Sequence, residues 1–240
     1  MPCMKILALE TTEQFGSVAL LEQRGENAVQ SSDTLAEIVL PRDRRSSQTL
    51  HPAIQTLLTT TQTVPKEIGI IVVVAGPGSF TGLRVGVTAA KLFAYTTGAK
   101  VIAVDTFQTI AFGHPVTDPN TLLSVGVNAQ RGEVVAAVLH RTKEGKIDVV
   151  KEPELIPVAD WWNHAEQYDD VLFAGPALEQ WAKKAPPNIR LTLESNWFPK
   201  ASSAGKLAGE RIISQQFDDY WALRPIYSRL SAAEEKQKRK

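Results

Sequence analysis

Three short stretches of the chain carry groups that could hold an anion or polarise a water. The first is Gly76-Pro77-Gly78-Ser79-Phe80-Thr81-Gly82, between an apolar run over residues 70–75 and a segment of helical character. A helix N-terminus offers free N–H groups and a positive dipole end, so a phosphate could sit there. The second is Glu10-Thr11-Thr12, whose hydroxyls and carboxylate could meet a phosphate or a metal-bound water. Thr11, Thr12, Gly76, Gly78 and Ser79 are therefore the candidate nucleotide-binding residues. The third is Asn128-Ala129-Gln130-Arg131, where Arg131 could grip an anion or a partner carboxylate.

Each stretch also has a plainer reading. A P-loop needs Lys directly after its second Gly, and here Leu83 follows Gly82. A dinucleotide fingerprint needs Gly where Thr81 stands. Ser79 is not in a G-x-S-x-G elbow, and N-capping accounts for it. Threonines in a hairpin turn commonly satisfy backbone groups. The histidines, His51, His114, His140 and His164, include no pair within four residues, and Cys3 is isolated. Zinc and Cys–His nucleophilic chemistry therefore lack support. No catalytic residue and no metal ligand is assigned.

The elements that must position these groups follow from apolar spacing. Residues 5–10 and 16–22 form a hairpin, and residues 38–40 a third strand. Residues 47–60 form a helix with Leu50, Ile54, Leu57 and Leu58 on one stripe, capped by Ser46 or Ser47. The run 70–75 reads as a strand buried on both faces. Residues 80–98 form a helix stopped by Gly98. A strand over 101–105 and a helix over 106–112 follow, then a linker over 113–120. A second hairpin spans 122–127 and 133–140. Helices are expected over 157–167, 176–184 and 203–216, and strands over 171–174 and 190–193. VVVAGPGSF and VLFAGPALE are both buried strand, Ala-Gly-Pro, helix, and a hairpin precedes each. Such duplicated βα units imply an α/β protein of two lobes: 1–112, 113–225, and a charged tail over 226–240.

The helix over 80–98 is unusual. Its only charges, Arg84 and Lys91, share a face with Thr88 and Tyr95. Gly82, Gly86 and Ala90 recur every four residues. Each interior Gly costs roughly 1 kcal/mol against Ala, so something must come close to this backbone. The expectation is a partner helix docked on that stripe. A bulky residue at Gly86 would then abolish pairing and spare the fold.

The 26 basic residues balance 26 acidic ones. No global field steers the chain to nucleic acid or anionic membrane. A single cysteine excludes an internal disulfide and fits a reducing compartment. The start lacks a signal-peptide pattern, and no apolar run approaches the ~20 residues of a membrane span. A cytoplasmic protein is expected.

These residues resemble the TsaB (YeaZ) family of tRNA threonylcarbamoyladenosine synthesis. GPGSFTGLRVG over 76–86 looks like its signature, and residues 6–21 are similar to its first hairpin. RSSQTLHPAIQTLL over 45–58 is similar to its first helix, and residues 101–111 to the strand and helix after the signature. Residues 128–134 resemble the opening of its second lobe. Tyr227 and Arg229 match its closing Tyr-x-Arg. The match covers most of the chain and is weakest over 140–220. It departs from the family at Glu10, where Asp is usual, at Asn128 and Gln130, where Asp and Arg are common, and at Ser46, where His is common.

The resemblance implies a two-lobed actin-like ATPase fold and a non-catalytic subunit. Its partner would be the paralogue TsaD, which transfers the threonylcarbamoyl group to adenosine in the tRNA anticodon loop. The ATPase TsaE joins them, tRNA is met only through the complex, and the subunit alone forms a homodimer. The interface it implies lies on the helices at 47–60 and 80–98, around Arg45, Leu50, Ile54, Leu57, Gly82, Arg84, Gly86 and Ala90. No cofactor is intrinsic, with ATP or ADP at a lobe or subunit interface an open alternative. The competing function is an actin-like nucleotide-binding phosphotransferase or ATPase using Thr11, Thr12 and the loop over 76–82. That chemistry needs a carboxylate aimed at Mg²⁺ or water, for which the chain offers Glu10.

Overall fold

Strand β1 (Met4–Glu10) is buried from Ile6 onward, because the chain packs on both of its faces. It pairs antiparallel with β2 (Ser17–Gln23) and parallel with β4 (Ile68–Gly76). With β3 (Ser32–Val39) and β5 (Lys100–Asp105) these form a five-stranded sheet of order β3-β2-β1-β4-β5. Helices α1 (Ser46–Thr60) and α2 (Phe80–Thr97) cover one face, where Leu7, Leu9, Ile71 and Val73 meet Leu50, Ile54, Leu57 and Ala90. The other face holds Ile6, Ala8, Val72 and Val74. Two-sided burial is why β4 reads as an unbroken apolar run. The computed structural model describes residues 4–13, 16–23, 32–115, 118 and 120–228. Cys3, Arg229 and the charged tail lie outside the described residues.

After α3 (Thr106–Gly113) come β6 (Leu122–Asn128), β7 (Glu133–Arg141) and β8 (Ile147–Pro157). Short helices α4 (Val158–Trp162) and α5 (His164–Gln167) lead to β9 (Val171–Ala174) and α6 (Leu178–Trp181). The second sheet has the order β8-β7-β6-β9. Strand β6 is antiparallel to β7 and parallel to β9, as β1 is to β2 and β4. The two lobes thus repeat one unit. Gly76 (φ 128°) and Gly175 (φ 106°) hold the matching left-handed positions of the two Ala-Gly-Pro turns. A side chain at Gly76 would strike the Ile226 carbonyl, and one at Gly175 the backbone of Gly126.

Several expectations change. Residues 141–156, where no element was expected, hold the long edge strand β8. The helix expected over 157–167 is two short helices, and the strand over 190–193 is a single bridge from Leu191 to Phe173. Residues 203–216 form α7 (Ala201–Leu207) and α8 (Gly209–Ile213), which leave the second lobe and cover the open face of the first sheet. Ala201, Ala204, Ala208 and Ile212 pack there on Ile6, Ile70 and Ile102. The span 113–225 is therefore divided between the two sheets. The N-cap position of α1 is Arg45, which makes no side-chain cap hydrogen bond, so neither Ser46 nor Ser47 caps the helix, and Pro52 lies inside it.

The docking stripe is also corrected. Leu50, Ile54, Leu57, Gly82, Gly86 and Ala90 are all buried in the chain's own core. The close approach that two helical glycines demand is made by this chain, at the turn after β1. A side chain at Gly82 would strike the Thr11 carbonyl, and one at Gly86 the Thr11 hydroxyl. Bulk at Gly86 would therefore press first on Thr11 of this chain. Of the eight expected interface residues, Arg45 and Arg84 are exposed. Among the described residues no helix is long and apolar enough to cross a membrane.

Candidate functional site

The structure brings the candidate anion-binding residues together, and their polar groups bond to one another. The Thr11 hydroxyl donates to the Gly82 carbonyl at 2.8 Å. The Ser79 N–H donates to the Thr12 carbonyl at 2.5 Å, and the Ser79 hydroxyl accepts from the Gly82 N–H at 3.3 Å. Ser79 is thus the N-cap of α2, and Gly98 (φ 78°) its left-handed stop, both as expected from sequence. Thr106 donates through its hydroxyl to the Pro77 carbonyl at 2.7 Å. Gly78 lies so close to Thr12 that a side chain there would strike the Thr12 carbonyl. Thr11 and Thr12 are fully buried. A phosphate between turn and loop would have to displace these bonds. Thr11, Thr12, Gly78 and Ser79 form a clasp between β1 and α2, while Gly76 ends β4 against the Ile226 carbonyl.

Glu10 is also fully buried. Its Oε1 accepts from the Thr12 N–H at 2.5 Å and the Thr12 hydroxyl at 2.6 Å, while Oε2 has no partner among the described residues. Burial pushes its carboxyl up to about 8, against the opposing pull of the Thr12 hydrogen bonds. Glu13 is raised to about 8 by burial and by the nearby charges of Glu10 and Glu179. At neutral pH the protonated form of Glu10 is therefore favoured. A neutral carboxyl does not attract Mg²⁺ or act as a base. On the matching turn of the second lobe, Asn128 Oδ1 accepts from the Gln130 N–H at 2.8 Å and Nδ2 donates to Gln180 at 2.6 Å. These residues do not fit a metal site, and among the described residues no group of His, Cys, Asp and Glu could hold one.

The exposed side of α2 offers a different surface. Leu92 is 58% exposed and Tyr95 64%. The neighbouring helix α1 also carries exposed residues, among them Gln48, His51, Gln55 and Thr59. The segment 219–228 runs along one flank of α2. Arg84 Nε donates to the Tyr227 hydroxyl at 2.9 Å, and its guanidinium stacks 3.9 Å from the Phe80 ring centre. Lys91 donates to the carbonyls of Trp221 at 3.1 Å and Leu223 at 3.2 Å. Tyr95 meets Trp221 edge to face at 5.7 Å. The charged face of α2 seen in the sequence is therefore the seat of this strap. The sequence does not pick out Leu92, and it suggests core or lobe packing for Trp221, which is instead 62% exposed. A lone Leu carries no surface signal in a helix that is apolar almost all round, and Trp221 lies in no regular element.

The family described as TsaD, tRNA N6-adenosine threonylcarbamoyltransferase, matches residues 33–212. The tRNA threonylcarbamoyladenosine biosynthesis protein TsaB of Bacillus subtilis is 32% identical over 173 residues, covering 72% of this chain and 71% of that protein. TsaB of Escherichia coli is 31% identical over 158 residues, 64% of each chain. The solved structure of YeaZ from Pseudomonas aeruginosa superposes with a TM-score of 0.75 over 93% of this chain and 99% of that one, at 22% identity. The fold is the two-lobed actin-like one.

Proposed function

We propose, from the premise that this chain belongs to the TsaB (YeaZ) family, that it is an accessory subunit of tRNA threonylcarbamoyladenosine synthesis that organises a TsaD partner. The observation that carries this reading is the outer face of α1 and α2. The inner face of α2 is filled by Thr11, yet Leu92 and Tyr95 stand exposed beside a second helix. A partner helix pair laid on that face would bury both. Standard interfaces take roughly 800 Å² from each side, which two helices of this length can supply. Val85, Ala89, Leu92 and Tyr95, flanked by Arg84, replace the inward glycines as the proposed contact. Without TsaD the same face pairs with a second copy, since a twofold interface uses one patch twice. TsaE and tRNA meet the assembly, and that substrate places the chain in the cytoplasm.

An accessory role is supported by the state of Glu10, an acid at the β1 turn that a hydrolase could use, and of its neighbour Glu13, which is raised as well. Glu10 favours its protonated form and is already bonded to Thr12. Two measurements test the reading together. Co-purification with TsaD from the same cell should succeed for the wild type and fail for Leu92→Asp, with an unchanged melting temperature. ATP turnover by the purified chain should be absent. Turnover removed by Glu10→Gln would overturn the accessory reading in favour of a phosphotransferase.

A further inference from the structure

A cavity of about 450 Å³ lies apart from the turn and loop described above. One wall is a single face of α3 and its cap, Asp105, Gln108 and Phe112. Lys206 and Leu207 of α7 and Ile226 of the strap also line it. The tip of the β7–β8 hairpin closes it from the second lobe, where Lys146 pairs with Glu210 at 3.7 Å.

Most charges on this wall are already matched. Arg211 holds Asp218 at 3.0 Å and the Ala103 carbonyl at 2.9 Å, and Lys146 holds Glu210. Asp148 approaches His140 at 4.0 Å. Two groups differ. The Lys206 ammonium has no hydrogen bond or ion pair among the described residues. Asp105 caps α3, where its carboxylate accepts from the Gln108 N–H at 3.0 Å and is also held by the Phe107 N–H, and it has no cation partner among the described residues. The two do not pair with each other. The cavity is thus lined by one acid without a cation partner and one ammonium without an anion partner, together with an apolar side, while Glu144 at the hairpin tip is already engaged.

We propose that this cavity binds a small zwitterion of the size and charge of a free α-amino acid. Its ammonium is taken by Asp105 with Gln108, its carboxylate by Lys206, and its apolar side chain by Phe112, Leu207 and Ile226. A ligand with both charges satisfies both groups; a simple anion or cation satisfies one and leaves the other unmatched. Burial raises Asp105 to about 6, which still leaves it ionised at neutral pH. Because α3, α7 and the β7–β8 hairpin all line the space, occupancy would also hold the two lobes together.

The test is calorimetric titration of the full chain with L-leucine, L-phenylalanine, isovalerate and isobutylamine. Binding of at least one amino acid, with both single-charge analogues at least tenfold weaker, is expected, since a hydrogen bond to a charged group is commonly worth about that much. Asp105→Asn keeps the cap of α3, because Asn caps as well as Asp. Lys206→Met keeps the apolar stem. Each should weaken binding roughly tenfold at an unchanged melting temperature. Failure of both amino acids to bind, equal binding of isovalerate, or an amino acid bound equally by both variants would each overturn the site.

Discussion

Thr11 and Gly82 hold the first sheet and its longest helix together. The threonine hydroxyl donates to the glycine carbonyl at 2.8 Å, and the glycine lies so close that a side chain there would strike the Thr11 carbonyl. Gly86, one turn on, lies as close to the Thr11 hydroxyl. The two glycines exist to let α2 lie directly on the end of β1. Gly82→Ala should cost about 3 kcal/mol, the upper part of the overpacking range, because backbone rather than a movable side chain is in the way, and Gly86→Ala should cost less, because the obstacle there is the Thr11 hydroxyl. Urea denaturation measures this. Thr88→Ala, on the exposed side, should stay within about 0.5 kcal/mol of wild type. Glycine variants that fold normally but fail to pair would restore the outward stripe.

Glu10 gives stability an alkaline dependence. Its folded value is about 8 against an ordinary 4.5, so the folded state holds a proton that the unfolded chain has released. The stabilisation is complete below about 4.5 and is lost as pH rises through about 8. The slope can reach ~1.4 kcal/mol per pH unit. Glu13 adds a slope of the same sign. Glu10→Gln should therefore flatten part of the decline between pH 5 and pH 8, about half of it if the two acids contribute equally. Denaturation midpoints across that range decide it; an unchanged slope in the variant would mean that Glu10 is ionised.

Much of this arrangement is legible in the sequence, and the rest fails for physical reasons. The Ala75-Gly76-Pro77 and Ala174-Gly175-Pro176 turns announce the duplication, because each Gly holds a left-handed position that other residues avoid. Ser79 and Gly98 mark both ends of α2 correctly. Strand β8 is invisible because it is an edge. Its alternation is diluted by Lys151, Glu152 and Glu154, and Pro153 sits where only an edge strand tolerates it. The return of α7 to the first sheet is a long-range choice between two apolar faces, and Ala201, Ala204 and Ala208 suit either. Helix α2 shows that its backbone must be approached closely, but an almost uncharged helix does not say from which side.

The strap over residues 219–228 should depend on Lys91. Its ammonium ties the carbonyls of Trp221 and Leu223 to α2 while Arg84 ties Tyr227. Lys91→Met keeps the apolar stem and removes the donors. Hydrogen exchange of the Asp218 and Ile226 amides, bonded to the Val101 and Ala75 carbonyls, should quicken by roughly tenfold, the worth of one charged hydrogen bond. Exchange in α1 should not change. Protection equal to wild type would show that Ile226 and the aromatic contacts alone hold the strap.

The second lobe carries an acid-sensitive counterpart to Glu10. His164 is 1% exposed, and its Nδ1 lies 2.8 Å from the Ser124 hydroxyl, which also accepts from the Trp161 Nε1–H at 2.8 Å. Lys151 stands 3.3 Å from Nε2. An ammonium can only donate, so Nε2 is the acceptor and Nδ1 carries the proton towards Ser124. A second proton would put two cations in contact in a buried site. Burial, then the charge of Lys151, lowers His164 from 6.5 to about 4. The fold thus keeps this contribution above about 6.5 and loses it as pH falls towards about 4. In Lys151→Met the folded value should move back towards 6.5 and the acid loss should shrink. Titration of the His164 ring protons by NMR reads both states, and an imidazole titrating near 6.5 in the wild type would show that neither burial nor Lys151 controls it.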